Sequence, residues 1–167
     1  MNSMFVDATT FNNPINHWDV SNVENFGNMF LRSNFNQPLT DWDMGSATSL
    51  STMFALTPFN QNINSWNVSK VTTFRAMFSG AFNFNQPLDQ WNTASATDMI
   101  NTFFNASTFN QDISTWDLSQ VEGIGQMFMN ATSFNQPLNN WNVSKATNMI
   151  RVFSDAVNFN QPLNNWD

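Results

Sequence analysis

A right-handed repeat solenoid is the fold class this sequence predicts, and three observations predict it. Trp recurs at 18, 42, 66, 91, 116, 141 and 166, at intervals of 24 or 25 residues. Each Trp follows a Phe-Asn pair at a fixed distance: Phe11-Asn12, Phe35-Asn36, Phe59-Asn60, Phe84-Asn85, Phe109-Asn110, Phe134-Asn135 and Phe159-Asn160. Within each interval the spacing of apolar residues changes once. Chance does not hold seven copies in register, and repeats of this length mean a stacked array.

The first part of each unit predicts a short strand. Trp141 and Val143 alternate with polar Asn142, the period of an extended chain. The second part predicts a short helical turn, α or 3-10. Val121, Ile124, Met127, Phe128 and Ala131 would share one helix face. Ser21 with Glu24 and Ser119 with Glu122 have capping-box spacing, and Ser69 and Ser144 are further cap candidates. Gly45 and Ala94 break that cap pattern. No Asn-Gly hairpin signal occurs, so successive strands are expected to run parallel through right-handed crossovers. At about 4.8 Å per rung, seven coils would make a ribbon of about 30 Å. An all-β solenoid is the alternative. Residues 1–167 read as one solenoid of about seven coils. Neither end carries a polar cap, so the chain is expected to be a segment of a longer array or a unit that stacks end to end.

Each recurrent residue type has a physical reason. Stacked Phe, Leu, Trp, Val and Met would bury their surface only against the next coil, at roughly 1.5–3 kcal/mol for each large side chain. An Asn repeated at a bend needs a polar reason. Asn12, Asn36, Asn60, Asn85, Asn110, Asn135 and Asn160 form a structural ladder in this reading, tying backbone groups of successive coils. The Pro after Gln holds the chain extended on entry to the strand.

Composition excludes several function classes. Net charge is −7 and the five basic residues are scattered, which suits neither nucleic acid nor anionic membranes. No apolar run is long enough to insert in a membrane. Without Cys there are no disulfides or thiolate metal sites. The N-terminus shows no basic segment leading an apolar run, hence no visible signal peptide. No cofactor or metal is expected, because no calcium-loop motif is present.

Candidate binding residues flank Trp. Asp19, Asp43, Asn67, Asn92, Asp117, Asn142 and Asp167 follow it and should point outward, where they could bind a glycan or an ion. The competing and preferred reading is local: an Asp or Asn two places before Ser can bond the backbone and set a corner. The preceding position varies from coil to coil as His17, Asp41, Ser65, Gln90, Thr115, Asn140 and Asn165. Asp41 and Asp43 could share a face, but a solvated pair is preferred over a glycosidase dyad. His17 is the only His, with no nucleophile motif near it, so no catalytic residue is assigned. The Trp column is read as core rather than as a sugar platform. Thr48, Thr72, Thr97 and Thr147 share a column, but Glu24 and Glu122 interrupt it, against an ice-binding array.

The unit F-N-Q-P-[IL]-x-x-W-[DN]-V-S-x-[VA]-[TE]-x-[FM]-x-x-M-F-x-x-A, as in "FNQPLNNWNVSKATNM" at 134–149, resembles the tandem repeats of BspA-like bacterial surface proteins of mycoplasma and lactobacillus type. The match covers nearly the whole chain. Thr93, Ala94 and Thr102 depart from it in the fourth coil, and the first two Trp intervals are one residue short. The resemblance implies a leucine-rich-repeat-like solenoid at the cell surface or outside the cell, with no catalytic residues. It implies adhesion or recognition of a protein or glycan along the strand face. A structural spacer or end-to-end filament unit is the alternative.

Overall fold

The computed structural model describes residues 1–166. We number the coils from each Phe-Asn pair: coil 1 is 11–34, coil 2 is 35–58, coil 3 is 59–83, coil 4 is 84–108, coil 5 is 109–133 and coil 6 is 134–158. Backbone hydrogen bonds tie each coil to the next. The N–H groups of Phe26, Asn28, Phe30 and Arg32 donate to the carbonyls of Ser49, Ser51, Met53 and Ala55. The equivalent four positions repeat this at every later junction, at 2.7–3.1 Å, ending with Ile124, Gln126, Phe128 and Asn130 donating to Asn148, Ile150, Val152 and Ser154. Every donor in this ladder lies in the earlier coil and every acceptor in the later one.

Between ladder bonds the chain turns on itself. The N–H groups of Met29, Leu31 and Ser33 close turns onto the carbonyls of Phe26, Asn28 and Phe30. Asn28 is the third residue of the first turn and Arg32 of the last, with φ of 54° and 56°. A positive φ at that place alone defines a type II turn. Two such residues, four apart, recur in each ladder segment: Ser3 and Asp7, Thr52 and Leu56, Ala76 and Gly80, Asn101 and Asn105, Gln126 and Asn130, Arg151 and Asp155. Only Gly80 is a glycine. The left-handed region costs other residues roughly 1–2 kcal/mol each. The stack offsets this, because the N–H of each left-handed residue from Ser3 to Asn130 reaches a carbonyl of the next coil.

This arrangement corrects the expected fold class. No described residue lies in a helix. The only sheet-like pairing among the described residues is a line of isolated parallel bridges, Asn25↔Ser49↔Thr73↔Asp98↔Gly123↔Asn148. A leucine-rich-repeat-like coil of one strand plus one helical turn is therefore contradicted, and so is an all-β coil. The bridges also fall where the helix was expected. Around Trp, where the strand was expected, no backbone-to-backbone bond links successive coils among the described residues. The helical period had another cause. A run of type II turns buries Phe26, Met29 and Phe30 together, as a helix would, without its i→i+4 bonds. The expected caps are absent with the helices: Ser21 turns its N–H and hydroxyl to Asp19 instead.

The core is a set of side-chain columns. Phe30, Phe54, Phe78, Phe103 and Phe128 stack with neighbouring rings 5.6–5.9 Å apart and within 14° of parallel. Phe35, Phe59, Phe84, Phe109 and Phe134 form a second column at 5.9–6.3 Å. Where one coil passes into the next the two columns touch, as at Phe54 and Phe59, 3.8 Å apart. Met29, Met53, Met77 and Met127 fill beside them. Thr102 takes the Met place in coil 4, fully buried, because its hydroxyl donates to the Met99 carbonyl at 2.8 Å.

The missing residue of the short intervals lies at the corner after the second Phe. In coils 3 to 6 that corner closes with an N–H to carbonyl bond, such as Phe84 to Ala81. In coils 1 and 2 the N–H groups of Phe35 and Phe59 approach the Ser33 and Thr57 hydroxyls instead, both at 3.4 Å. A side-chain oxygen thus stands in for a backbone one. Where short corner meets long, Leu56 and Phe82 are about half exposed around a hollow of about 240 Å³. Gly80, with φ of 66°, lies under Leu56, and a Cβ there would collide with Leu56 Cδ2.

Candidate functional site

The candidate site is the lateral face built on both sides of Trp. Trp42, Trp66, Trp91, Trp116 and Trp141 are buried. Each indole N–H donates to a carbonyl of the preceding coil, from Ile15, Leu39, Ile63, Leu88 and Ile113, at 3.0–3.1 Å. The indoles are core, with no face open to a sugar. Burying Trp forces both of its neighbours outward.

On the C-terminal side Asp19, Asp43, Asn67, Asn92, Asp117 and Asn142 are all exposed. Their Oδ1 atoms accept the backbone N–H two residues on, from Ser21, Gly45, Ser69, Ala94, Ser119 and Ser144, at 2.8–3.2 Å. This is the local corner-setting role. One Oδ1 is occupied in each coil, on a residue that is exposed to solvent. Donation from the Ser21 hydroxyl and N–H holds the Asp19 carboxyl below its ordinary value of 3.8. The Ser119 N–H and hydroxyl lower Asp117 in the same way. Asp167 lies outside the described residues.

On the N-terminal side His17, Asp41, Ser65, Gln90, Thr115, Asn140 and Asn165 are exposed. At three of them the coil before fixes the backbone. The N–H groups of Asp41, Gln90 and Asn165 donate to the Oδ1 atoms of Asn16, Asn64 and Asn139 at 3.0–3.1 Å. Sequence reasoning missed this second amide column; its signal is an Asn two places before Trp in some coils but not all. Asp41 and Asp43 are not brought together as a dyad. Asp41 accepts from Asn16 Nδ2 at 2.7 Å, whereas Asp43 accepts from its own corner at Gly45.

The Asn of each Phe-Asn pair sits at the entry to this face. The N–H groups of Asn36, Asn60, Asn85, Asn110, Asn135 and Asn160 donate to the Oδ1 atoms of Asn12, Asn36, Asn60, Asn85, Asn110 and Asn135, at 2.8–3.0 Å. From Gln61 onward the next residue adds its amide: Gln61, Gln86, Gln111, Gln136 and Gln161 donate Nε2 to the same Oδ1 atoms. One acceptor thus holds two donors from the following coil.

The opposite flank carries the Thr column. Thr48, Thr72, Thr97 and Thr147 donate their hydroxyls to carbonyls of the coil before, at 3.1–3.3 Å. Beside it a recess of about 260 Å³ opens where Gly123 brings no side chain to the bridge line, lined by Arg75, Asp98, Ile100, Glu122 and Asn148. Arg75 pairs with Asp98 there at 2.7 Å. Behind Trp91 both Thr93 and Ser95 bridge coils by their hydroxyls, Ser95 donating to the Ser69 carbonyl at 2.7 Å and Thr93 linking to Asp117. Thr93 accepts from the Asp117 N–H and donates to the Asp117 carbonyl, so coil 4 keeps its register despite the departures in its sequence.

The model of the family described as "Mycoplasma protein of unknown function, DUF285" matches this chain twice, over residues 1–88 and 48–166. The chain belongs to that family. Neither a curated protein nor a solved structure matches it.

Proposed function

For a member of this repeat family, we propose a non-enzymatic, surface-exposed recognition module that binds a protein or glycan along the face beside Trp. One observation carries the reading. Two adjacent outward columns run the length of the stack, one nearly constant (Asp or Asn) and one that takes six residue types over seven positions. A constant column supplies a uniform row of hydrogen-bonding groups, and a variable one supplies discrimination. The resemblance of the repeat to BspA-like surface proteins supports a place at the cell surface. The sole His, exposed at position 17 and without a resolved partner, offers nothing to a catalytic reading.

The test is binding of the purified chain to arrays of glycans and of extracellular proteins. Replacing Asp41, Gln90 and Thr115 together by Ala is expected to weaken a hit at least tenfold. The control replaces Thr72 and Thr97 on the opposite flank and is expected to leave it unchanged. A hit that survives the first set and is lost with the second places recognition on the other flank and overturns this reading.

A further inference from the structure

We infer that Asn67 and Asn142 are acceptor sites for N-linked glycosylation, each taking a sugar activated as a glycosyl diphosphate. Acceptance of sugar there is independent of the recognition reading above. An Asn followed by any residue but Pro, and then by Ser or Thr, is the acceptor motif for this modification. The motif occurs four times, as Asn67-Val68-Ser69, Asn105-Ala106-Ser107, Asn130-Ala131-Thr132 and Asn142-Val143-Ser144. The fold puts the four copies in two different environments, and only one of them leaves the amide nitrogen open.

Asn67 and Asn142 stand at the corners after Trp66 and Trp141, exposed on the lateral face. The Ser hydroxyl of each motif donates to the Oδ1 of its own Asn, at 2.7 Å from Ser69 and 2.8 Å from Ser144. The Ser N–H donates to the same oxygen. Among the described residues no group accepts from the Nδ2 of either Asn. An amide nitrogen is a poor nucleophile until it sheds a proton. The charge left by that proton lies largely on Oδ1, where two hydrogen bonds are already in place to stabilise it. The middle residues, Val68 and Val143, are buried and tie the motif to the core. Gly45, in the coil before, keeps the approach to Asn67 open, since a Cβ there would come within 3.6 Å of its Nδ2.

The other two copies are closed. Asn105 and Asn130 lie at the second left-handed site of their turn segments, partly buried, with φ of 57° and 59°. Asn130 Nδ2 donates to Asn105 Oδ1 at 2.7 Å, which occupies the nitrogen of one motif and the oxygen of the other. The Thr132 hydroxyl donates to the Ser107 carbonyl instead of to its own amide. The corner column also holds an internal control. Asn92 is exposed and makes the same corner with the Ala94 N–H, and lacks only the hydroxyl. That corner forms without a hydroxyl, so removing one at Ser69 or Ser144 should leave the fold intact.

In the transfer a bond forms between Nδ2 and C1 of the sugar while the bond from C1 to the diphosphate oxygen breaks. The diphosphate leaves with that electron pair, and the Nδ2 proton passes to a base of the transferase. The sugars would stand on coils 3 and 6. Coils 4 and 5, with Gln90 and Thr115 before their Trp, would stay bare between them.

Peptide mass spectrometry of the protein from the cells that make it is expected to find sugar on Asn67 and Asn142 and none on Asn105 or Asn130. A single hexose there marks a nucleotide-sugar donor, and a preassembled oligosaccharide marks a lipid-linked one. In a second experiment the folded chain is incubated with uridine diphosphate glucose and a soluble transferase specific for Asn-X-Ser/Thr. A gain of two hexoses is expected. Ser69→Ala and Ser144→Ala should each lose one of them, and the double variant both. Ala94→Ser completes the motif at Asn92 and should add a third. A chain bare at Asn67 or Asn142 in either experiment overturns the proposal. So does sugar on Asn105 or Asn130 of the folded chain, or an Ala94→Ser variant left bare at Asn92.

Discussion

The two sides of each coil are held to their neighbours by different means. On the ladder side four backbone N–H groups per coil reach the next coil directly, and the side chains there are interchangeable: Arg32, Leu56, Gly80, Asn105 and Asn130 occupy one position. On the Trp side the backbones do not bond to each other. Side chains bridge them, through the Trp indole, the Asn amide and the Gln amide, and those three types recur almost without change. Where backbone supplies the polar link, the sequence is free to vary. Where a side chain must supply it, the residue type is fixed. The variable outward column before Trp is the exception on the fixed side, which is why it is the candidate for recognition.

Breaking the ladder should have the largest effect. Ala76→Pro removes the N–H that donates to the Ile100 carbonyl and forbids the φ of 52°. A loss of about 3 kcal/mol or more is expected in denaturant titration. The side-chain link comes next. Asn85→Ala leaves the Asn110 N–H and Gln111 Nε2 without their acceptor. Both bonds are exposed, so water can replace the acceptor and the expected cost is about 0.5–1.5 kcal/mol. Asn85→Asp keeps that oxygen and should cost far less at neutral pH, because only the acceptor of Asn85 is used. The same change at every coil would line up charges about 5 Å apart and should prevent folding.

Ala76→Gly sharpens the comparison in the other direction. It releases a left-handed Ala, and a gain of up to about 1 kcal/mol is expected from a thermal scan. The same change at Ala96, a buried residue with no positive φ, should destabilise.

The smallest effect is on acid stability. Asp19 and Asp117 hold folded-state values below 3.8, so they stabilise the fold above that value. That contribution is lost as pH falls through their lowered values. Stability should be level from pH 5 to 7, by this mechanism, and decline below about 4. The Asp19→Asn, Asp117→Asn double variant should decline less, since Asn67, Asn92 and Asn142 already make the same corner without a charge. Thermal scans at pH 3 and pH 6 read the difference.

Much of the packing was legible in the sequence, and the backbone was not. The Phe and Trp positions give the columns because identical residues a repeat apart have nowhere to bury except on each other. The Asn column was legible for the same reason, since its polar atom needs a partner that recurs. The corner role of Asp19 and its equivalents was legible from the Ser two places on, and Gly45 and Ala94 make the same corner without that signal. The conformation of 26–32 was not. Its burial period is that of a helix, and the left-handed sites carry Asn, Asp or Gly in some coils and Arg, Thr, Leu, Ala or Gln in others, so no residue type marks the position from coil to coil. The strand reading at Trp141 and Val143 had the alternation of burial right, but the link to the coil before is made there by the Trp141 indole N–H and not by a backbone N–H.

The central claim is that consecutive type II turns, bonded from coil to coil, replace helix and strand in every repeat. Hydrogen-bond scalar coupling measured by NMR tests it directly at the Phe54 amide. The account predicts a coupling from the Phe54 N–H to the Met77 carbonyl, 2.9 Å away in the next coil. A coupling to the Leu50 carbonyl instead, the i→i−4 partner of a helix, would contradict it.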